Sequence, residues 1–250
     1  MVMFKRPEGL RYQKFFKVLN TGFVFDWYLE VGCRSGSIFG QVRGKTLAVD
    51  PFFRIGTDVV GAKPQLHIFQ QTSDDFFASG FMAAMGLQLS VSFLDGMHLF
   101  EFLLRDFIGA ERASRPDGVV MLHDCCPSTH RMTTRDLADL PTDAWTGDVW
   151  KLIPILRQWR PDLVVTVLDA RPTGLVLISG LDPQSRVLSD NYDRILAEYR
   201  DVDLEGFGVA RFNDCFDYTD TQGFIDAGLP LFAPLALSPG AQRVPTKVTP

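Results

Sequence analysis

Residues 163–179 read LVVTVLDARPTGLVLIS, in which two apolar runs are separated by the four residues ARPT. Both runs are nearly continuous rather than alternating, a pattern typical of strands that are covered on both faces. So short a connection joins antiparallel neighbours, because parallel neighbours need a crossover of about a dozen residues or more. The stretch therefore predicts an antiparallel hairpin.

Five further apolar runs precede this hairpin. They are WYLEVG (27–32), KTLAVD (45–50), LHIFQQ (66–71), LSVSFLD (89–95) and GVVMLHD (118–124). Segments with helical spacing lie between several of the runs, at 74–86, 97–112 and 148–159. This alternation predicts an α/β fold, a Rossmann-like three-layer sandwich whose seven-stranded, mostly parallel sheet ends in the antiparallel hairpin.

The segments outside this pattern define the predicted organisation of the chain. Residues 1–24 form a basic helical extension, 25–181 the core, 182–235 a C-terminal extension and 236–250 a flexible tail rich in proline and small polar residues. A late helix is expected at 189–200, with Ser189 as its N-cap. The basic N-terminal helix also offers a surface for a second copy of the chain, which leaves a homo-oligomer open.

Composition excludes several classes of function. The formal net charge of −5 argues against wrapping nucleic acid or an anionic membrane. No apolar run approaches the roughly 18–20 residues that span a bilayer. The four cysteines match no zinc-binding spacing, and Cys125 and Cys126 are sequence neighbours, which indicates a reduced, cytoplasmic setting.

Acidic residues end four of the first five runs: Glu30, Asp50, Asp95 and Asp124. Ligands of open parallel sheets bind beyond the carboxyl ends of the strands. Unpaired carboxylates are costly to bury there, so we expect some of these acids to meet a ligand, a metal or N–H donors. The alternative is that each acid only caps the helix that follows it.

The turn GCRSG (32–36) after the first run has two glycines, but Arg34 stands where a dinucleotide fingerprint has its middle glycine. That glycine lets the backbone approach a pyrophosphate, so its absence argues against NAD or FAD. Asp50 lies 18 positions beyond Gly32, where an acid typically accepts hydrogen bonds from ribose hydroxyls. The combination favours a nucleoside without a pyrophosphate.

Five motifs then occur in order: EVGCRSG (30–36), AVDPF (48–52), QQTSDDFF (70–77), FLDGMHLFEFLLRDF (93–107) and GVVMLHDC (118–125). Together they resemble class I S-adenosylmethionine-dependent methyltransferases, in particular the group with macrocin-type sugar O-methyltransferases and cephalosporin-hydroxylase-like proteins. The resemblance covers about residues 25–181 and implies S-adenosylmethionine (SAM) as the cofactor.

By this resemblance, the cofactor is bound by residues from three strand ends and from the TSDD segment. The ends of the first, second and fourth runs and the TSDD segment together give Glu30, Gly32, Cys33, Gly36, Asp50, Thr72, Ser73, Asp74 and Asp95. The TSDD segment is also a good N-terminal cap for helix 74–86, and both roles are compatible.

Relatives in this group hold a divalent metal through three acids, whose positions here carry Asp95, His123 and Asp124. This ligand set accommodates Mn, Fe or Zn better than an all-oxygen set, which is typical of Mg, and the replacement by histidine leaves metal dependence open. The family's general base is replaced by Met97, so His98 is the substitute candidate, with Asp95 as the second catalytic residue. Alternatively, His98 only starts the following helix.

The acceptor side is expected from the segment after the fifth run, through Trp145, Asp148, Trp150 and Lys151. Aromatic and charged neighbours suit a small hydroxylated substrate such as a glycan or glycosylated metabolite, although they also suit an ordinary surface lid. The leading hypothesis is an O-methyltransferase acting on a sugar or other small metabolite. The alternatives are an NAD-type oxidoreductase and a degenerate methyltransferase fold with a binding role.

Overall fold

A computed structural model describes residues 3–238 of the chain. These residues form one mixed eight-stranded sheet with helices on both faces. The strands are β1 Trp27–Val31, β2 Lys45–Val49, β3 Leu66–Phe69, β4 Leu89–Leu94, β5 Ser114–His123, β6 Val164–Leu168, β7 Leu175–Ser179 and β8 Tyr218–Thr219.

The strand order is β3-β2-β1-β4-β5-β7-β6-β8. Strands β1 to β5 pair in parallel, whereas β7 is antiparallel to both β5 and β6. The seven predicted strands and their closing hairpin are therefore confirmed, and the two-residue β8 is an addition beside β6. The chain leaves β1 toward β2 on one side and returns to β4 on the other, which opens a crevice at the carboxyl end of β1.

The helices differ from the predicted ones mainly at their boundaries. They are α1 Tyr12–Gly22, α2 Ser73–Ala78, α3 Phe81–Ala84, α4 Phe100–Ala113, α5 Leu152–Trp159, α6 Val187–Asp190, α7 Tyr192–Tyr199, α8 Leu204–Phe207, α9 Val209–Asn213 and α10 Thr221–Asp226.

Two helix predictions need correction. The segment 74–86 divides into α2 and α3 because Gly80 has a φ of 67°, which a continuous right-handed helix does not tolerate. Ser189 is not the N-cap of the late helix; it lies inside α6, and its hydroxyl donates to the carbonyl of Arg186. Asn191 precedes α7 instead, without a side-chain cap.

The sheet is covered by one apolar cluster on each face. On one face, α4 and α5 bury residues such as Phe107 and Ile155. On the other, α1 buries Phe15, Phe16 and Leu19 against the sheet. Burying one such side chain contributes about 1.5–3 kcal/mol, so the N-terminal helix is an integral part of the fold rather than an appendage.

None of the helices in residues 3–238 combines the length and the apolar character that crossing a bilayer requires. The predicted tail, 236–250, lies outside the described residues except for its first three. Among those three, the amide of Leu237 donates to the carbonyl of Val24.

Candidate active site

A cavity of about 830 Å³ lies in the crevice at the carboxyl ends of β1, β2, β4 and β5. Eight of the nine predicted cofactor residues line it, all except Gly36, and so do the predicted catalytic residue His98 and the predicted metal ligands. The acids were found in the sequence because each directly follows an apolar run, and parallel strands bring such positions to one edge.

The glycine turn after β1 passes unusually close to the chain after β4. Gly32 has a φ of 85°, and a Cβ built on it would lie 2.0 Å from the carbonyl oxygen of Asp95. Gly36 has a φ of 79°, and its Cβ would meet Val59 at 2.5 Å. The turn leads into a three-residue 3₁₀ helix, Phe39–Gln41, and not into an α-helix. It therefore lacks the helix N-terminus that binds pyrophosphate in dinucleotide enzymes.

Glu30 is buried at the end of β1, where its Oε2 accepts a hydrogen bond of 2.7 Å from the hydroxyl of Tyr28. Burial raises the pKa of Glu30 to about 8, against the lowering effect of the Tyr28 hydrogen bond. A cation that enters the cavity next to Glu30 would favour the ionised carboxylate. Cys33 lies beside it and donates its thiol hydrogen to the Glu30 carbonyl.

Asp50 joins the glycine turn to the end of β2. Its Oδ2 accepts the backbone N–H of Arg34 at 2.7 Å, and its Oδ1 accepts that of Phe52 at 2.6 Å. Each carboxylate oxygen has a further lone pair, so the fixed side chain can still accept hydrogen bonds from a diol.

The TSDD segment caps a helix and also lies at the cavity. Thr72 caps α2 by accepting the backbone N–H of Asp75. Asp74 is held by both Nε and Nη2 of Arg105, at 2.6 and 2.8 Å. Thr72, Ser73 and Asp74 all line the cavity at the same time.

Two carboxylates and two imidazoles meet at the other end of the cavity. Nδ1 of His123 lies 3.2 Å from Asp95 Oδ1 and 3.3 Å from Asp124 Oδ2. Nε2 of His98 lies 3.5 and 3.3 Å from the same two oxygens. Asp124 is held in the left-handed region, with a φ of 59°, and accepts a hydrogen bond from Thr173. We call these four residues the acid–imidazole cluster.

The members of this cluster shift one another's pKa values. Burial alone would raise the pKa of Asp95, but the neighbouring His123 and His98 hold it well below its usual range. Burial would lower the pKa of His98, but the hydrogen bond to Asp95 and the charges of Asp124 and Asp95 raise it to about 9. Burial would lower the pKa of His123, but the charges of Asp124 and Asp95 raise it above its usual value. Each imidazole of the cluster lies beside both carboxylates.

The geometry adds His98 to the candidate ligands for a cation, beside the two acids and His123, whose Nδ1 lies 3.2 and 3.3 Å from the same carboxylate oxygens. Ligand atoms of Asp95, His98 and Asp124 all lie within 4.8 Å of one another. His98 Nδ1 bonds to the Trp145 carbonyl at 2.8 Å, which leaves Nε2 facing the carboxylates, as in metal-binding histidines. These residues fit a divalent metal. The sequence assigned His98 to proton transfer and His123 to the metal.

Trp145 is the predicted substrate residue that lines the cavity, where its ring stacks on His98 with centroids 5.0 Å apart. Asp148, Trp150 and Lys151 lie instead beside a second cavity of about 650 Å³. All three are buried, and Asp148 accepts hydrogen bonds from Lys151 and from the backbone of Phe100. Asp148 and Lys151 form a buried ion pair, and Trp150 is buried beside them. This placement does not support a substrate role.

Sequence reasoning missed Tyr12, the first residue of α1, which lines the same cavity. Its ring centroid lies 4.1 Å from that of His123. Nothing in the N-terminal sequence distinguishes this tyrosine from the other aromatic residues of the helix. Only the tertiary position of α1 brings it to the site.

Several solved structures resemble this one. TomG, an O-methyltransferase from Streptomyces achromogenes in complex with SAM, is 15% identical, with 67% of this chain and 78% of that chain covered and a TM-score of 0.49. Cofactor-bound Rv0187 from MTB is 15% identical over the same shares, with a TM-score of 0.50. The MycE methyltransferase from the mycinamycin biosynthetic pathway, in complex with Mg, SAH and mycinamycin VI, is 14% identical, with 70% and 49% covered and a TM-score of 0.44.

The likeness to Rv0187 concerns the fold and agrees with the Rossmann-like sheet expected from the sequence. No protein-family model matches the sequence, and no curated protein sequence matches it significantly.

Proposed function

We propose that the chain is a class I SAM-dependent methyltransferase that methylates a hydroxyl group of a small molecule, such as a sugar. The observation that carries the proposal is the set of residues that line one cavity. Glu30, the glycine turn and Asp50 line one part of it, and the acid–imidazole cluster lines another. A cofactor cradle next to groups that can take a proton is what methyl transfer to oxygen requires.

In this proposal the cofactor lies along the ends of β1 and β2. Gly32 lets the turn lie directly against the backbone of Asp95, and the ammonium group of the methionine part would pair with the buried Glu30 beside this turn. The fixed carboxylate of Asp50 would accept hydrogen bonds from the ribose hydroxyls. Thr72, Ser73 and Asp74 would line the adenine end.

The acceptor hydroxyl would face Asp95, His98 and Asp124. Its oxygen forms a bond to the methyl carbon as the carbon–sulfur bond breaks, and that electron pair remains on sulfur as the neutral thioether of S-adenosylhomocysteine (SAH). The hydroxyl proton passes to the acid–imidazole cluster. Within the cluster, Nε2 of His98 lies beside both carboxylates and would hold them in place opposite the acceptor hydroxyl.

A divalent metal held by Asp95, His98 and Asp124 would supply the further lowering of the hydroxyl pKa that a Lewis acid provides. The His98 nitrogen favours Mn, Fe or Zn over Mg in such a site. Trp145, which stacks on His98, would form the wall against which the acceptor packs.

Calorimetry with SAM, SAH and NAD tests the proposal. We expect SAM and SAH to bind and Asp50→Ala to weaken both at least about 10-fold, because a charge-assisted hydrogen bond is worth about 1.5–3 kcal/mol. Asp193→Ala, a change at an exposed residue of α7, is the matched control. Binding of NAD alone would support the oxidoreductase alternative, which the 3₁₀ helix after the glycine turn argues against.

A mass-shift screen of sugars and phenols with SAM then separates an enzyme from a degenerate binding protein. The enzyme adds one methyl group to an acceptor and releases SAH, whereas the binding protein retains SAM without turnover.

A further inference from the structure

The backbone around Tyr12 is fixed by the hairpin of β6 and β7. The amide of Tyr12 donates to the carbonyl of Arg171 at 3.0 Å, and the amide of Arg171 donates to the carbonyl of Leu10 at 2.8 Å. The amide of Gly9 donates to the carbonyl of Asp169 at 2.9 Å. Helix α1 therefore begins at a defined place on the sheet, and its first side chain is not at a frayed end.

The side chain of Tyr12 extends from this anchor into the cavity. Its ring packs on His123, and the ring of Phe93 lies 6.4 Å away. Tyr12 lines the same cavity as Glu30, Asp95 and Asp124. The phenol is therefore exposed to the space between carboxylates from both parts of the cavity.

These neighbours locate Tyr12 between the two reactants. Glu30 marks the methionine part of the cofactor, and Asp95 and Asp124 mark the acceptor. The sulfonium of SAM has to lie between them, because the methyl group moves from one to the other. A neutral phenol oxygen, with its lone pairs, and an aromatic ring are both groups that favour a nearby cation.

Resting on the proposed function, we propose that the hydroxyl oxygen of Tyr12 contacts the positively charged sulfonium methyl group of bound SAM. The contact is specific for the cofactor, because SAH has a neutral sulfur and no transferable methyl group. Tyr12 then raises the affinity for SAM relative to that for SAH. It also helps to hold the methyl group in line with the acceptor oxygen.

The test compares the affinities of SAM and SAH by calorimetry in Tyr12→Phe and Tyr12→Leu. Tyr12→Phe keeps the ring against His123 and removes only the oxygen. We expect the preference for SAM over SAH to fall about 3-fold in Tyr12→Phe and about 10-fold in Tyr12→Leu, with SAH affinity nearly unchanged. Lys17→Ala, at an exposed position of the same helix, should leave the preference as in the wild type.

Two results would overturn the inference: an unchanged preference in Tyr12→Phe, or equal losses of SAM and SAH affinity, which a purely structural role would produce. Thermal melting of each variant identifies a folding defect, and Tyr12→Phe remains decisive if Tyr12→Leu does not fold. Failure of the wild-type chain to bind either compound would instead refute the proposed function itself.

Discussion

His98 presents Nδ1 to the carbonyl oxygen of Trp145 at 2.8 Å, so that Nε2 faces the carboxylates of the acid–imidazole cluster. The backbone of the segment after β5 thereby fixes the ring orientation of a residue that follows β4. This contact directs Nε2 of His98 to the position in which it can act as a ligand.

Replacement of His98 should remove the cation site. We expect His98→Ala to weaken the binding of Mn²⁺ and Zn²⁺ by about 100-fold, because one of three protein ligands is lost. His123→Phe, which keeps an aromatic ring against Tyr12, should change the affinity by no more than about 3-fold. Calorimetry with each metal alone gives both numbers, with His130→Ala, at an exposed histidine, as the control. A larger loss in His123→Phe would restore the ligand set predicted from the sequence.

A methyl group at Gly32 should damage both stability and cofactor binding. Its φ of 85° and the 2.0 Å approach to the Asp95 carbonyl leave no room for a Cβ. We expect Gly32→Ala to cost about 1–3 kcal/mol, which lowers the melting temperature by roughly 3–10 °C. Gly22→Ala, where a Cβ would meet nothing within 4 Å, should melt like the wild type. Equal melting of the two variants would show that the turn relaxes easily.

Binding of SAM should release protons from Glu30. The pKa of Glu30 is raised to about 8 by burial, with Asp95 raising it further and Tyr28 and Lys63 lowering it. An ammonium group favours the ionised carboxylate, so SAM affinity should rise with pH from 6 to about 8 and then level off. Calorimetry in buffers of different ionisation enthalpy measures the released protons, and Glu30→Gln should abolish this part of the pH dependence.

The raised pKa of Glu30 has the opposite effect on folding: stability falls as the pH rises. Between its ordinary pKa of 4.5 and about 8, Glu30 holds a proton in the folded state that the unfolded state has lost. The contribution of Glu30 to the free energy of unfolding therefore falls as pH rises through this interval. Urea unfolding at several pH values should show that the free energy of unfolding of Glu30→Gln lacks this decline. If the variant and the wild type decline equally, another group causes the effect.

Asp148 should matter for stability and not for the cofactor. Its removal would leave Lys151, which is only 1% exposed, without its carboxylate partner. We expect Asp148→Ala to lower the free energy of unfolding by about 3–5 kcal/mol, with SAM affinity unchanged. Urea unfolding and calorimetry measure the two quantities. A stable variant with a raised KM for the acceptor would instead support the substrate role predicted from the sequence.

The sequence predicts the sheet well because each strand is encoded locally, as an apolar run with an acid or a turn after it. Parallel pairing then brings Glu30, Asp50, Asp95 and Asp124 to one edge without further information. The missed features depend on side-chain direction. Trp145 turns toward the cavity while Asp148, Trp150 and Lys151 turn inward, although all four lie within seven residues of one chain segment. Tyr12 reaches the site only through the packing of α1.

The link between the N-terminal segment and the last hairpin has a consequence for biosynthesis. The Arg171 side chain binds the carbonyl of Gly9, 162 positions earlier in the chain. At roughly 5–20 residues per second, a ribosome needs about 10–30 s to cover that distance. During this interval α1 has no hairpin to anchor it, and Phe15 lacks its later contacts with Phe224 and Phe232. Helix α1 is thus synthesised before the hairpin that anchors it and reaches its native place only afterwards.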